Sequence, residues 1–118
     1  MKHYDGAPQA IMDNMVMHGR NLALKSNEYS ELCADFAAKE RDYNIALVSE
    51  MLRLKASGVP ATACERLAKG TKEIAELRYA RDVAKGMMTA CDKAMQNLRT
   101  VLNAYQSILA WERKLNEL

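Results

Sequence analysis

The sequence predicts an all-α protein: a long antiparallel helical hairpin, coiled-coil-like, with a short N-terminal helix and a short helical turn in the connection. Three observations predict it. Helix-breaking residues are few and clustered, apolar residues recur at helical spacing along two long stretches, and those stretches carry opposite charge. The 118 residues include only five Gly and two Pro. A chain of this length makes one domain with a modest core, because it buries only about two-thirds of the surface its unfolded form exposes.

The breakers divide the chain. Pro8 and Gly19 bracket a short helix over about 9–18, on which Ile11, Met12, Met15 and Val16 share one face. A long helix follows over about 21–57. Its apolar stripe is Leu22, Tyr29, Cys33, Phe36, Tyr43, Leu47, Met51 and Leu54, interrupted by Glu40. Gly58 reads as the residue just past its end, Val59 as the capping hydrophobe, and Pro60 forbids continuation. Residues 61–69 (ATACERLAK) suit two helical turns, with Pro60 in the first and Gly70 at the end. Thr71 is placed to N-cap a second long helix over about 71–117, with Glu73 favourable in its first turn. From Thr71 to Leu118 there is one Gly, Gly86, and no Pro, and so long a stretch without breakers predicts one long helix.

The last helix carries a heptad stripe of Ile74, Leu77, Arg81, Ala84, Met88, Cys91, Met95, Leu98, Leu102, Tyr105 and Leu109, flanked by a second row of Ala80, Met87, Ala94, Val101, Ile108 and Leu115. About 45 helical residues would reach roughly 65–70 Å, so this stripe needs a partner of similar length. The short connection makes the two long helices antiparallel neighbours. Charge agrees: residues 27–51 hold six acids and two bases, net −4, whereas residues 78–99 hold five bases and two acids, net +3. Each exposed pair contributes only about 0–1 kcal/mol, but opposite signs help set orientation. The second long helix is the longer, so its end from Gln106 to Leu118 is expected to overhang and to be covered by the short N-terminal helix. The alternative is a hairpin completed by a second copy of itself.

Composition excludes several classes. No apolar run exceeds four residues, so no membrane-spanning helix is expected. The opening MKHYDGAPQA has no apolar segment, so no secretory signal is expected. Net charge is +2, too balanced to imply nucleic acid by itself. Three widely spaced cysteines, Cys33, Cys64 and Cys91, fit a reducing cytoplasm better than a disulfide framework.

Chemistry finds little purchase. His3 and His18 are fifteen residues apart, and no CxxC motif or phosphate-cradling Gly loop occurs, so no metal, cofactor-binding or catalytic residue is expected. Cys33 and Cys91 lie on facing stripes and read as core, whereas Cys64, beside Glu65 and Arg66, reads as the most exposed thiol. Carboxylates at helical spacing on a polar face read as solvated surface, and a hairpin offers no water-excluding cleft. The protein is therefore expected not to be an enzyme.

Two surfaces remain as candidates. Arg53, Lys55, Arg66, Lys69, Lys72 and Arg78 gather bases at the hairpin tip, where they could contact phosphates or an acidic protein face. No aromatic precedes Tyr79 in that span, so base stacking has little support and solvated surface is the blander reading. Met12, Met15, Ile108, Trp111 and Leu115 form the second candidate, a protein interface near the two chain ends. Methionines often only fill cores, but a lone Trp off the main stripe either packs on the N-terminal helix or anchors a partner.

The stretch LRYARDVAKGMMTACDKAMQNLRTVLNAYQSILAWERK, the last third of the chain, resembles the long C-terminal helix of small all-helical phage and prophage accessory proteins from early or recombination-replication gene clusters. That resemblance carries over no site residue. It implies a cytoplasmic protein that binds and modulates a host protein, for example as a counter-defence inhibitor. The alternatives are a nucleic-acid accessory factor using the basic tip, and a structural homo-dimer or higher homo-oligomer. A protein partner is expected; nucleic acid is not favoured and no membrane is involved.

Overall fold

A computed structural model describes residues 7–118. These form three helices, α1 (Ala7–Ala56), α2 (Ala61–Lys69) and α3 (Lys72–Asn116), in the all-α hairpin that the sequence predicts. Packing groups the chain into two compact units. Among the described residues the first joins 7–29 to Ala90–Leu118, and the second is Ser30–Thr89.

The expected break at Gly19 does not occur. Instead of a helix over 9–18 followed by one over 21–57, α1 runs unbroken for 50 residues. A helical Gly costs only about 1 kcal/mol relative to Ala. That is too little to end a helix whose flanking turns both pack, with His18 and Leu22 half-buried on either side. Because α1 keeps its N-terminal turns, α3 has no overhang: Pro8 and Met12 line one pocket with Leu109, Glu112, Arg113 and Asn116. The N-terminal segment thus covers the end of α3 as expected, but as part of α1.

The end of α1 follows the expected stop signals. Gly58 takes φ +100°, the left-handed conformation that side chains resist. Val59 N–H donates to the Leu54 carbonyl and Gly58 N–H to the Lys55 carbonyl, both at 3.1 Å. These two bonds satisfy carbonyls that the helix end would otherwise leave open. Pro60, with ψ 140°, precedes α2 rather than joining its first turn. Gly70 closes α2 at φ −83°, with its N–H on the Arg66 and Leu67 carbonyls.

Thr71 departs from the expected cap. Its hydroxyl donates back to the Ala68 carbonyl at 2.7 Å, sealing α2. Only its carbonyl serves α3, accepting from Ala75 N–H at 2.9 Å.

All eleven heptad positions of α3 from Ile74 to Leu109 are buried or half-buried. Arg81, the charged exception, is half-buried with its guanidinium carbon 4.4 Å from the Tyr43 ring centroid. A cation over an aromatic face is worth about 0.5–2 kcal/mol, which lets a charge sit in an apolar stripe. Glu40, the interruption in α1, is also half-buried.

The second unit is the better filled. Tyr43, Cys64, Ala68, Ile74 and Ala84 are buried there. Cys64, read as exposed, is only 3% exposed, because α2 turns its apolar face inward. Its thiol donates to the Pro60 carbonyl at 3.4 Å. In the first unit Cys91 and Met95 are buried, and the Cys91 thiol reaches the Lys25 carbonyl at 3.4 Å.

Candidate functional site

Three surfaces are built by these helices, each within one unit. The first is at the end of the hairpin, in the second unit. Thr62, Glu65, Arg66, Lys69, Gly70 and Arg78 line a shallow pocket of about 510 Å³. Spacing explains the grouping. Thr62, Glu65, Arg66 and Lys69 lie three or four apart on α2, and Gly70 turns the chain so that α3 brings Arg78 up beside them. Lys69 holds Glu65 at 2.8 Å. The hydrogen bond and charge of Lys69 lower the Glu65 pKa. The same pair raises that of Lys69, with burial and the charge of Arg78 opposing. Three cations thus face one carboxylate, an arrangement that can hold an anionic group.

Only half of the predicted tip residues enter this pocket. Arg66, Lys69 and Arg78 do; Arg53, Lys55 and Lys72 do not. Arg53 instead donates to Glu50 on its own helix, with Nε 3.0 Å from Oε2. That bond lowers the Glu50 pKa and raises that of Arg53. Lys55 and Lys72 are exposed at the helix ends.

The second surface is at the chain-end side of the first unit. Ile108, Trp111 and Leu115 follow one another by three and four residues, so they form one exposed face of α3. Trp111 is 62% exposed, so it does not pack into the N-terminal turns of α1. Met12 is half exposed and lines the neighbouring pocket of about 320 Å³. Met15, grouped with them from sequence, is half-buried.

The third surface was not singled out from sequence. In the first unit a groove of about 460 Å³ opens between α1 and α3, lined by His18, Asn21, Leu24, Lys25, Glu28, Ala94, Asn97, Leu98 and Val101. His18 packs edge-on against Tyr105, with centroids 5.5 Å apart at 71°. Its Nδ1 lies 2.8 Å from the Asn14 carbonyl, and donates to it. The histidine read as a terminal polar residue is therefore a structural part of the groove wall. Lys25 and Glu28 pair at 3.0 Å on the rim, and this hydrogen bond, then the charge of Glu28, raises the Lys25 pKa. The signal that could have found the groove was present in the flanking row of Ala94 and Val101, whose faces extend the apolar stripe of α3.

Among the described residues no group of three or more His, Cys, Asp or Glu is placed to hold a metal ion, and no helix is long and apolar enough to cross a membrane. His3 lies outside the described residues. Comparison with known proteins returns no match: no family model, no curated protein and no solved structure is similar to this chain.

Proposed function

We propose that this protein is a non-enzymatic helical binding protein that docks on a protein partner through the Trp111 face. The observation that supports it is the 62% exposure of the chain's one tryptophan, flanked at helical spacing by the exposed Ile108 and Leu115. A large aromatic left in water beside two aliphatic side chains is a poor use of apolar surface in an isolated molecule. It is the usual composition of an interface anchor. The resemblance of the last third of the chain extends this reading to a phage-type protein that modulates or inhibits a host protein in the bacterial cytoplasm. A second reading, nucleic-acid accessory factor, draws on the pocket that brings Arg66, Lys69 and Arg78 together.

Capture of bound proteins from a bacterial lysate on wild-type and Trp111→Ala protein, followed by mass spectrometry, tests the first reading. A specific protein retained by the wild type and lost with the variant supports it. Equal retention by both removes Trp111 from the function. Affinity for DNA that falls steeply with salt and disappears in an Arg66→Glu/Arg78→Glu variant would transfer the proposal to the tip, because phosphate contacts release counterions.

A further inference from the structure

We infer that the pocket at the hairpin tip binds a phosphate monoester, with Arg66, Lys69 and Arg78 taking its oxygens. The nucleic-acid reading draws on the same pocket but on a different ligand, and the experiment below separates the two.

The first observation is Arg78. Among the described residues two arginines are half-buried, Arg78 and Arg81. Arg81 is satisfied: its Nη2 lies 2.9 Å from Asp82 Oδ1, and its guanidinium rests over the Tyr43 ring. Arg78 has no ion pair, hydrogen bond or ring contact among the described residues, and it lines the pocket. A guanidinium drawn partly out of water without a counter-charge is a costly arrangement. An anion in the pocket supplies what is missing.

The second observation is the charge left over. The one carboxylate of the pocket, Glu65, is held by Lys69 at 2.8 Å. Three cations against one acid leave the lining at net +2. Glu65 raises the Lys69 pKa and the charge of Arg78 opposes it, so the two cations repel each other. A bound anion relieves that repulsion.

Charge and donor number choose the anion. A phosphate monoester carries about −1.5 to −2 charge at neutral pH and three strong acceptor oxygens. It therefore matches both the surplus charge and the three cationic donors. A carboxylate brings one charge and two oxygens, which leaves a cation unanswered. Two of the donors are guanidinium forks, whose geometry fits phosphate bidentately. The Thr62 hydroxyl, also in the lining, adds a neutral donor. A nucleic-acid strand asks for something else: cations spaced along a track, and aromatic rings on which bases stack. Here Arg53 is paired with Glu50, Lys55 and Lys72 lie outside the pocket, and its lining holds no aromatic residue.

Titration of the full chain with inorganic phosphate, followed by amide NMR shifts, tests this with ionic strength held at about 0.2 M by exchange against sodium chloride. Saturable shifts at Thr62, Gly70 and Arg78 are expected, with a Kd on the order of 1 mM for so small a ligand. O-phosphoserine, a monoester, should displace inorganic phosphate, and acetate should bind roughly tenfold more weakly or not at all. Arg78→Gln should weaken binding roughly fivefold or more, and so should Arg66→Gln, which sits at an exposed position and tests the site even if the first variant misfolds. Lys55→Gln removes the same charge outside the pocket and should change the Kd by less than about twofold. Glu65→Gln frees Lys69 and should tighten binding about threefold. Failure to saturate, failure of O-phosphoserine to compete, equal binding of acetate, or an equal loss in Lys55→Gln would overturn the proposal. Single-stranded DNA without terminal phosphates that binds the pocket more tightly than phosphate does would overturn it in favour of the nucleic-acid reading. Phosphate binding without DNA binding supports this site and removes that reading.

Discussion

The two compact units are built from the same two helices, yet they differ in how completely they bury their apolar stripes. The second unit holds five buried residues, Tyr43, Cys64, Ala68, Ile74 and Ala84; the first holds Cys91 and Met95. The difference is α2. Two helices laid side by side cover one stripe each and leave the flanking rows in water. In the second unit a third helix contributes Cys64 and Ala68 and shields the ends of its neighbours. Among its described residues the first unit has no third helix. Outer apolar rows stay exposed in both units, Leu24, Val101, Ile108 and Trp111 in the first and Ile45, Val48, Leu52 and Tyr79 in the second, so what α2 adds is a buried centre and not a dry surface.

The largest test of that contrast is a pair of truncations on the α3 stripe. Ile74→Ala, in the second unit at 4% exposure, should cost about 2–4 kcal/mol in urea denaturation. Leu102→Ala, half-buried in the first unit, should cost about half as much, since part of its surface is already in water. A larger loss at Leu102 would mean that the first unit is covered in solution by another chain.

Glycines give an intermediate effect of opposite sign in the two units. Gly58→Ala forces a side chain into φ +100° and should destabilise by about 1–2 kcal/mol. Gly19→Ala adds a methyl where nothing lies within 4 Å and should stabilise by about 0.5–1 kcal/mol. A shift of the thermal midpoint in the same direction for both would contradict the continuous α1.

The smallest effect is pH dependence. In the second unit Glu50 and Glu65 have lowered pKa values, chiefly from hydrogen bonds to Arg53 and Lys69. Their contribution is present above the ordinary value of 4.5 and is lost as pH falls through the lowered ones. In the first unit the Lys25 pKa is raised, so its contribution is fully present below the ordinary value of 10.5 and is lost as pH rises through the raised one. Carbon-detected NMR should therefore show acid loosening the turns around Glu50 and Glu65, and strong base those around Lys25. Acid loosening at Lys25 first would reverse this assignment.

Much of this architecture was legible in the residues. The Gly58-Val59-Pro60 stop, the short helix of 61–69 and the α3 heptads from Ile74 to Leu109 are local or periodic signals, and the structure follows them. The tip was half legible. Charge counting found Arg66, Lys69 and Arg78, but gave Arg53, Lys55 and Lys72 equal standing. Only the turn at Gly70 selects which cations share a pocket. Cys64 was misread because the burial of a nine-residue helix depends on what it packs against.

The sequence by itself determined the helical class, the turn chemistry and which stripe of each long helix is apolar, because backbone propensity and side-chain period act over one or two turns. Tertiary structure decided that α1 continues through Gly19, that Cys64 is enclosed, that Arg81 rests on Tyr43, and which apolar rows remain in water. Those outcomes depend on residues far apart in the chain. A penalty of about 1 kcal/mol at one glycine, or a charge in a greasy stripe, is settled by the neighbour that packing brings.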